Sequence, residues 1–298
     1  MGYIDSEGKF NENSYHIDGL IFRLPHQLSL YVVENNGMRM MIDAGIPLSA
    51  RKVVNKLKDL GLFPIDKLLI THSHWDHVQG YTRLKKLIGD FEVLASENAI
   101  NNLKNPEIMF EGFRRKDFDI EINPIEDVTP LKEGDIIDLN GLELEVVNFF
   151  GHTMDSIAIL DRKNKNIFTG DAILEKCEPE FFMSPVMPPD FNESELLKTY
   201  KKLRDMKNDL NSISLNHFGV FTNDGFIQIA DEAENLYLKT KESICQWYEE
   251  NPSLKYIAEK YHEKFTPNAR THTKGNLSGV VLLLEWAING FKLSGIIK

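Results

Sequence analysis

The residues with the most capacity for chemistry lie in one short stretch, Thr71-His72-Ser73-His74-Trp75-Asp76-His77. Three imidazoles and a carboxylate fall within it, and that is a donor set that zinc and similar borderline metals accept. The stretch follows an apolar run, Lys67–Thr71, that reads as a buried strand, and it precedes a helical pattern. In an extended chain, side chains two apart point the same way, so His72 and His74 can grip one ion together. Asp76 and His77 come where the chain turns into the helix and can face a second ion. A lone histidine is ordinarily a packed or surface residue. Four such donors at this spacing are different, because folding alone gives no reason to set so many polar groups at the end of a buried strand.

Further donors stand at the ends of other strand-like runs. His152 follows Glu143–Asn148, Asp171 follows Asn166–Thr169, and His217 follows Ser212–Asn216. Asp43 likewise closes Met38–Ile42, ahead of Ala44-Gly45. Each is weak alone, since Gly-Asp and Asp-Ala-Gly are common in caps and turns. Five of the nine histidines nonetheless fall at strand ends, and they are read together as one site.

The elements that must hold these residues follow from apolar pattern and turn chemistry. Gly19–Arg23 and Ser29–Glu34 read as strands, and Asn35-Asn36-Gly37 is a hairpin signal before Met38–Ile42. Residues 48–60 read as a helix with Val53, Val54, Leu57 and Leu60 on one face and Gly61 as its left-handed cap. Helices surround a short strand at Glu92–Leu94. Strands resume near Asp135–Asp138, Glu143–Asn148, Ile157–Asp161 and Asn166–Thr169, with Asn140-Gly141 as a turn. Glu175–Phe191, with four prolines, reads as a long loop of the kind usually kept for function. After a helix near Glu193–Lys207 and a strand at Ser212–Asn216, nothing strand-like is expected. Residues from about 223 onward read as three helices, the last, Leu277–Gly290, apolar nearly all round and therefore buried. The pattern is a mixed α/β layering.

In their order, over about residues 17–220, these motifs resemble those of the metallo-β-lactamase superfamily. The resemblance implies a four-layer αββα sandwich with two metals at one edge and a C-terminal helical extension. The division expected is residues 1–222 for the metal-binding unit and 223–298 for the helical region. Carried over residue by residue, His72, His74 and His152 bind the first metal. Asp76, His77 and His217 bind the second, Asp171 bridges them, and Asp43 supports the ligand loop from behind. Two divalent ions are implied, zinc foremost, with iron or manganese suited to the same donors.

His77 and Asp171 separate the chain from the commonest true β-lactamases, which carry arginine and cysteine there. His74 separates it from flavodiiron reductases, which carry glutamate. The ligand set and the helical tail are similar to those of glyoxalase II, lactonases and related hydrolases. Two departures stand out: Gly-His-Thr-Met-Asp at 151–155 replaces the usual Gly-His-Thr-Pro-Gly, and Leu174 stands where acyl-homoserine lactonases have tyrosine. The implied activity is hydrolysis of an ester, thioester or lactone carbonyl by a hydroxide shared between the metals, with Asp76 as the catalytic carboxylate that handles its proton. A phosphodiesterase with the same metals, or a metal-binding effector without turnover, are the alternative readings.

Composition bounds the rest. The chain has 298 residues, net charge −11, 42% apolar and 27% charged residues, an ordinary globular balance. Its acidity argues against sequence-independent nucleic-acid binding, which needs clustered Lys and Arg. No window of about 18 uninterrupted apolar residues suggests a membrane span. Met1–Phe10 shows no secretory pattern, and Cys177 and Cys245 read as reduced thiols, so a cytoplasmic protein is expected. Its partners would be a small-molecule substrate and, as a possible homodimer, a second copy.

Weaker candidates complete the reading. His26 fits a pocket loop and a solvent-facing loop equally, whereas Trp75 reads as packing beneath the metal loop. Cys177 reads as a plain loop thiol. Phe181, Phe182, Met183 and Met187 suit the cap of an apolar acyl pocket. Arg270, His272 and Lys274 read as solvated surface.

Overall fold

Strands that are apolar on both faces need cover on both faces, and two sheets packed together between helices provide it. The computed structural model describes residues 2–113, 121–173, 175–178, 181–269 and 273–298. The chain opens with β1 (Gly2–Ile4), β2 (Gly8–Lys9), β3 (Ser14–Asp18), β4 (Ser29–Asn35) and β5 (Met38–Ile42). Helix α1 (Ala50–Asp59), β6 (Lys67–Ile70), α2 (Trp75–Val78), α3 (Tyr81–Ile88), β7 (Glu92–Ser96) and α4 (Ile100–Lys104) follow. Next come β8 (Thr129–Leu131), β9 (Ile136–Leu139), β10 (Leu142–Asn148), β11 (Ile157–Asp161) and β12 (Asn166–Phe168). A hairpin of β13 (Glu175–Glu178) and β14 (Phe181–Met183) precedes α5 (Glu193–Met206), β15 (Ser212–Ser214) and β16 (Val220–Thr222). The chain ends in α6 (Asp224–Glu250), α7 (Leu254–Phe265) and α8 (Ser278–Leu293).

One sheet runs β2-β3-β4-β5-β6-β7-β8 and the other β1-β16-β15-β12-β11-β10-β9. Alternation along each strand sorts its side chains into layers. Tyr31 and Val33 of β4, Leu69 of β6, and Ile157 and Ile159 of β11 fill the space between the sheets. Leu30, Val32, Leu68 and Ile70 face outward onto α1, whose Val53, Val54 and Leu57 cover them. On the other outer face, Ala158 and Leu160 meet α5, α6 and α7 through Leu196, Tyr200, Tyr237 and Ile257. The result is an αββα sandwich. Helix α8 joins both outer layers: Val280, Leu284 and Phe291 belong to one, and Trp286 to the other.

Strand direction sets where the site forms. Strands β5 and β6 are parallel, as are β12 and β15, so Asp43, Thr71-His72, Asp171 and His217 all emerge at carboxyl ends of strands. That rim is where open α/β sheets hold their ligands. The sheets are tied together there by Ile157 N–H to Thr71 O (2.9 Å) and Ser29 N–H to Asn216 O (2.6 Å).

Several local expectations change. Gly19–Arg23 is not a strand: Leu20 is left-handed, Ile21–Arg23 form a 3-10 turn, and the Asp18 carboxylate accepts the N–H groups of Leu20 and His26 (both 2.9 Å). The chain past Asn216 does return to the sheet, as β16, paired with both β1 and β15. A three-residue strand carries too little periodicity to announce itself. The stretch Glu175–Phe191 contains the β13–β14 hairpin and is not wholly loop. Helix α8 is not buried all round: Val280, Leu284 and Phe291 are buried, while Leu282 and Leu283 are half-buried and line a cavity. Leu174, Arg270 and His272 lie outside the described residues, as do the side chains of Cys177, Phe181, Phe182 and Met183. Among the described residues no helix is long and apolar enough to cross a membrane.

Candidate metal centre

The structure brings all seven expected donors to one rim. His72, His74 and His152 form one group; Asp76, His77, Asp171 and His217 form another. Nε2 of His72 lies 3.2 Å from Nδ1 of His74, which lies 2.9 Å from Nε2 of His152. Oδ2 of Asp171 is 3.2 Å from Nε2 of both His77 and His217. The same oxygen is 3.8 Å and 3.7 Å from Nε2 of His72 and His152, so it faces both groups. Oδ2 of Asp76 lies 3.3 Å from His217 Nε2 and 3.6 Å from His77 Nε2.

The outward ring nitrogens fix the tautomers. His74 donates from Nε2 to Pro188 O (2.9 Å), and His152 from Nδ1 to Pro185 O (2.7 Å). His217 donates from Nδ1 to Gln27 O (2.6 Å) and His77 from Nδ1 to Asp43 Oδ2 (2.9 Å). Thr71 gives its hydroxyl proton to Asp43 (2.8 Å), which leaves its oxygen to accept from His72 Nδ1 (3.1 Å). These assignments rest on the partners each nitrogen meets. With the outward nitrogen engaged as a donor, the inward nitrogens of His72, His74 and His152 present lone pairs to one another's neighbourhood. Orienting a ligand imidazole through its other nitrogen is how proteins build metal sites.

Asp43 is the hub behind the donors. Its carboxylate is fully buried and also accepts the Thr71 N–H (2.8 Å) and the Asn216 side-chain amide. Two glycines let the loops close in. A side chain at Gly151 would strike the Leu196 backbone at 2.4 Å, and its φ of 126° is one that only glycine adopts easily. Gly170, at φ 55°, turns the chain just before Asp171, and a side chain there would crowd Thr71 at 3.1 Å.

Electrostatics separates the two groups. Burial holds His72 and His74 below the ordinary imidazole range and pushes His152 down to about 4, with neighbouring imidazoles adding to the effect in His72 and His152. These three are neutral donors near pH 7. Burial also pulls against protonation of His77, but Asp171, Asp76 and Asp43 together hold it well above its usual range. Burial works against ionisation of Asp171, yet His217 and His77 keep it well below the carboxylate range. Positive charge is therefore favoured among the carboxylates. Oδ1 of Asp171 is buried without a hydrogen-bond partner. Converging lone pairs at 2.9–3.2 Å and an orphaned carboxylate oxygen are what a site for divalent cations requires.

A cavity of about 530 Å³ opens on the donors His74, Asp76, His152, Asp171 and His217. Trp75 packs in the core beneath the metal loop, as expected, and also forms part of the cavity wall. His26 is exposed and stacks on Phe218, with ring centroids 5.1 Å apart. Sequence reading overlooked Phe113, which meets His74 edge-on at 5.8 Å and Trp286 at 5.3 Å. It also overlooked the buried Asp155, which accepts from Ser73, Asn102 (3.0 Å) and Thr153 (2.6 Å) and ties the His72–His74 loop to the His152 loop. The Met154-Asp155 departure was the available signal.

The model of the family described as the metallo-beta-lactamase superfamily matches residues 24–214. The chain belongs to the metallo-beta-lactamase superfamily. Among curated relatives, it is 27% identical to an acyl-coenzyme A thioesterase of Gallus gallus over 50% of this chain and 59% of that protein. It is also 27% identical to a hydroxyacylglutathione hydrolase of Haemophilus influenzae, over 42% of this chain and 58% of the relative. The match thus spans under two thirds of these relatives' own length. A solved superfamily member from Thermus thermophilus shares the fold, with TM-score 0.67 at 18% identity over 95% of this chain and 94% of that one.

Proposed function

We propose that the protein is a hydrolase that uses two divalent metal ions to cleave an ester, thioester or lactone carbonyl. The observation that carries this reading is the convergence of seven oriented donors, with the buried, unpartnered Asp171 Oδ1 among them, at the mouth of a cavity. His72, His74 and His152 would hold one ion, Asp76, His77 and His217 the other, and Asp171 would touch both. Zinc is the first expectation, with iron and manganese suited to the same donors. When bound, such ions supply a water ionised near neutral pH and positive charge for a developing oxyanion.

The chain's own groups do the rest. Asp171 Oδ2 is enclosed by four imidazoles at 3.2–3.8 Å and is committed to holding them. Asp76 lines the cavity and lies closest to His217, so it is the carboxylate free to take the attacking water's proton and return it to the leaving thiolate or alkoxide. Among the described residues lining the cavity there is no Lys or Arg, which favours a carbonyl substrate over a phosphodiester. Residues 1–222 would form the metal-binding unit, and region 223–298 would add a wall that selects substrate. Metal analysis of the purified, metal-replete chain, followed by a panel of thioesters, lactones and phosphodiesters, tests the proposal. About two ions per chain and turnover of a carbonyl class are expected. Fewer than about one ion per chain, or turnover confined to phosphodiesters, would overturn it.

A further inference from the structure

The cavity changes character away from the donors. Beyond them its wall is largely apolar and comes from four separate parts of the chain: Ile21 and Leu24 of the early turn, Trp75 after β6, Met187 before α5, and Leu283 and Trp286 of α8. Phe113 links the two ends, touching His74 on one side and Trp286 on the other. Leu24 is 56% exposed, a large apolar side chain left at the wall of a cavity and not packed into a core. A substrate that fits must place a polar, reactive group at the donors and an apolar body along α8.

We propose that the substrate is an ester or thioester of a medium-length aliphatic acid, and that Leu24 and Leu283 set its chain length. This rests on the hydrolase reading above. At about 30 Å³ for a group the size of water, a cavity of about 530 Å³ holds roughly eighteen such groups. That accommodates the reacting carbonyl, the first leaving-group atoms and an acyl chain of about six to ten carbons. Burying each methylene stabilises the complex, and the transition state with it, by a factor of about three to four. Short acyl groups leave the wall wet and lose that gain.

The test uses the metal-replete full chain and a series of acyl thioesters with one common leaving group, from acetyl to tetradecanoyl. The value of kcat/KM should climb about threefold per methylene and stop climbing near eight carbons. Leu283→Trp should move that limit about two carbons shorter by filling the wall, and Leu24→Asp should cut the octanoyl-to-acetyl ratio about fivefold. A flat series, or a ratio unchanged in both variants, overturns the proposal. Decanoate and butyrate binding, followed by calorimetry, separates the two levels of inference. Were no ester or thioester turned over while decanoate bound and butyrate did not, the acyl wall would stand and the hydrolase reading would fall. If neither acid bound, the acyl wall itself would be wrong.

Discussion

The two ends of the cavity are built in opposite ways. At the rim, His72, His74, His152 and Asp171 are each at most 4% exposed, and each imidazole is pinned from behind by a carbonyl, hydroxyl or carboxylate. At the far end, Leu24 is 56% exposed and Leu282 and Leu283 are half-buried, apolar side chains that line the cavity. Directional contacts over-determine the first region, so a single atom change there should propagate through the whole cluster. Dispersion and burial hold the second, so changes there should be graded with size. The rim is built to position charge, and the wall is built to measure shape.

The sharpest way to break this comparison is Asp171→Asn. The amide keeps the shape but removes the charge that faces four imidazoles. Activity should fall by more than about a hundredfold, beyond what changes behind the ligands usually cost. The ion held by Asp76, His77 and His217 should be lost first, which metal content measured by mass spectrometry would show. Asp43→Asn comes next. Its carboxylate accepts from Thr71, Asn216 and His77, and an amide cannot accept from all of them. Both ions should stay bound while the rate drops about 10–100-fold. If Asp43→Asn lost an ion and Asp171→Asn kept two, their roles would be reversed.

Gly151→Ala probes backbone instead of charge. The new Cβ would meet the Leu196 backbone at 2.4 Å in a left-handed residue, so thermal unfolding should report a loss of about 2 kcal/mol. No change in unfolding temperature would mean that the loop before His152 is slack, contrary to an over-determined rim.

The smallest effect is expected at Asp190, a mostly buried carboxylate near the rim that is not one of the donors. Its Oδ1 has no hydrogen-bond partner, and burial, aided by Asp155, raises its pKa to about 6. A raised carboxylate pKa means that the folded state holds its proton longer than the unfolded chain. The associated stability is complete below about 3.9 and is lost as pH rises through about 6. Asp190→Asn should therefore be more stable than the parent by about 1 kcal/mol at pH 8, with the difference gone by about pH 4. Denaturant melts at both pH values would measure it, and a constant difference would remove the carboxylate as its cause.

Some of this was legible in residue types. The alternation of Tyr31, Val32 and Val33, buried on both faces, read as strand, and the left-handed Asn36 and Gly37 made the expected hairpin with Asn35 paired to Met38. Gly61, at φ 72°, caps α1 as read. Gly19–Arg23 misled because its apolar residues matched a strand while the Asp18 carboxylate, acting locally, bent the chain into a turn. Strands β1 and β16 were missed because three residues are stabilised by their neighbours in the sheet and not by their own pattern.

The sequence by itself determined the chemistry of the rim. Imidazole and carboxylate are particular side chains, and their positions after strands are local facts that survive in one dimension. Only the tertiary structure decided what orients and encloses them. Pro185, Pro188 and Gln27 hold three histidines through backbone carbonyls, and every residue has one, so no residue type announces that role. Leu283 and Trp286 look like any buried helix face until α8 joins both outer layers and brings them to the same cavity as Leu24, more than 250 positions earlier in the chain. Burial is non-directional, so an apolar pattern says that a face will be covered and leaves open whether another helix or a substrate covers it.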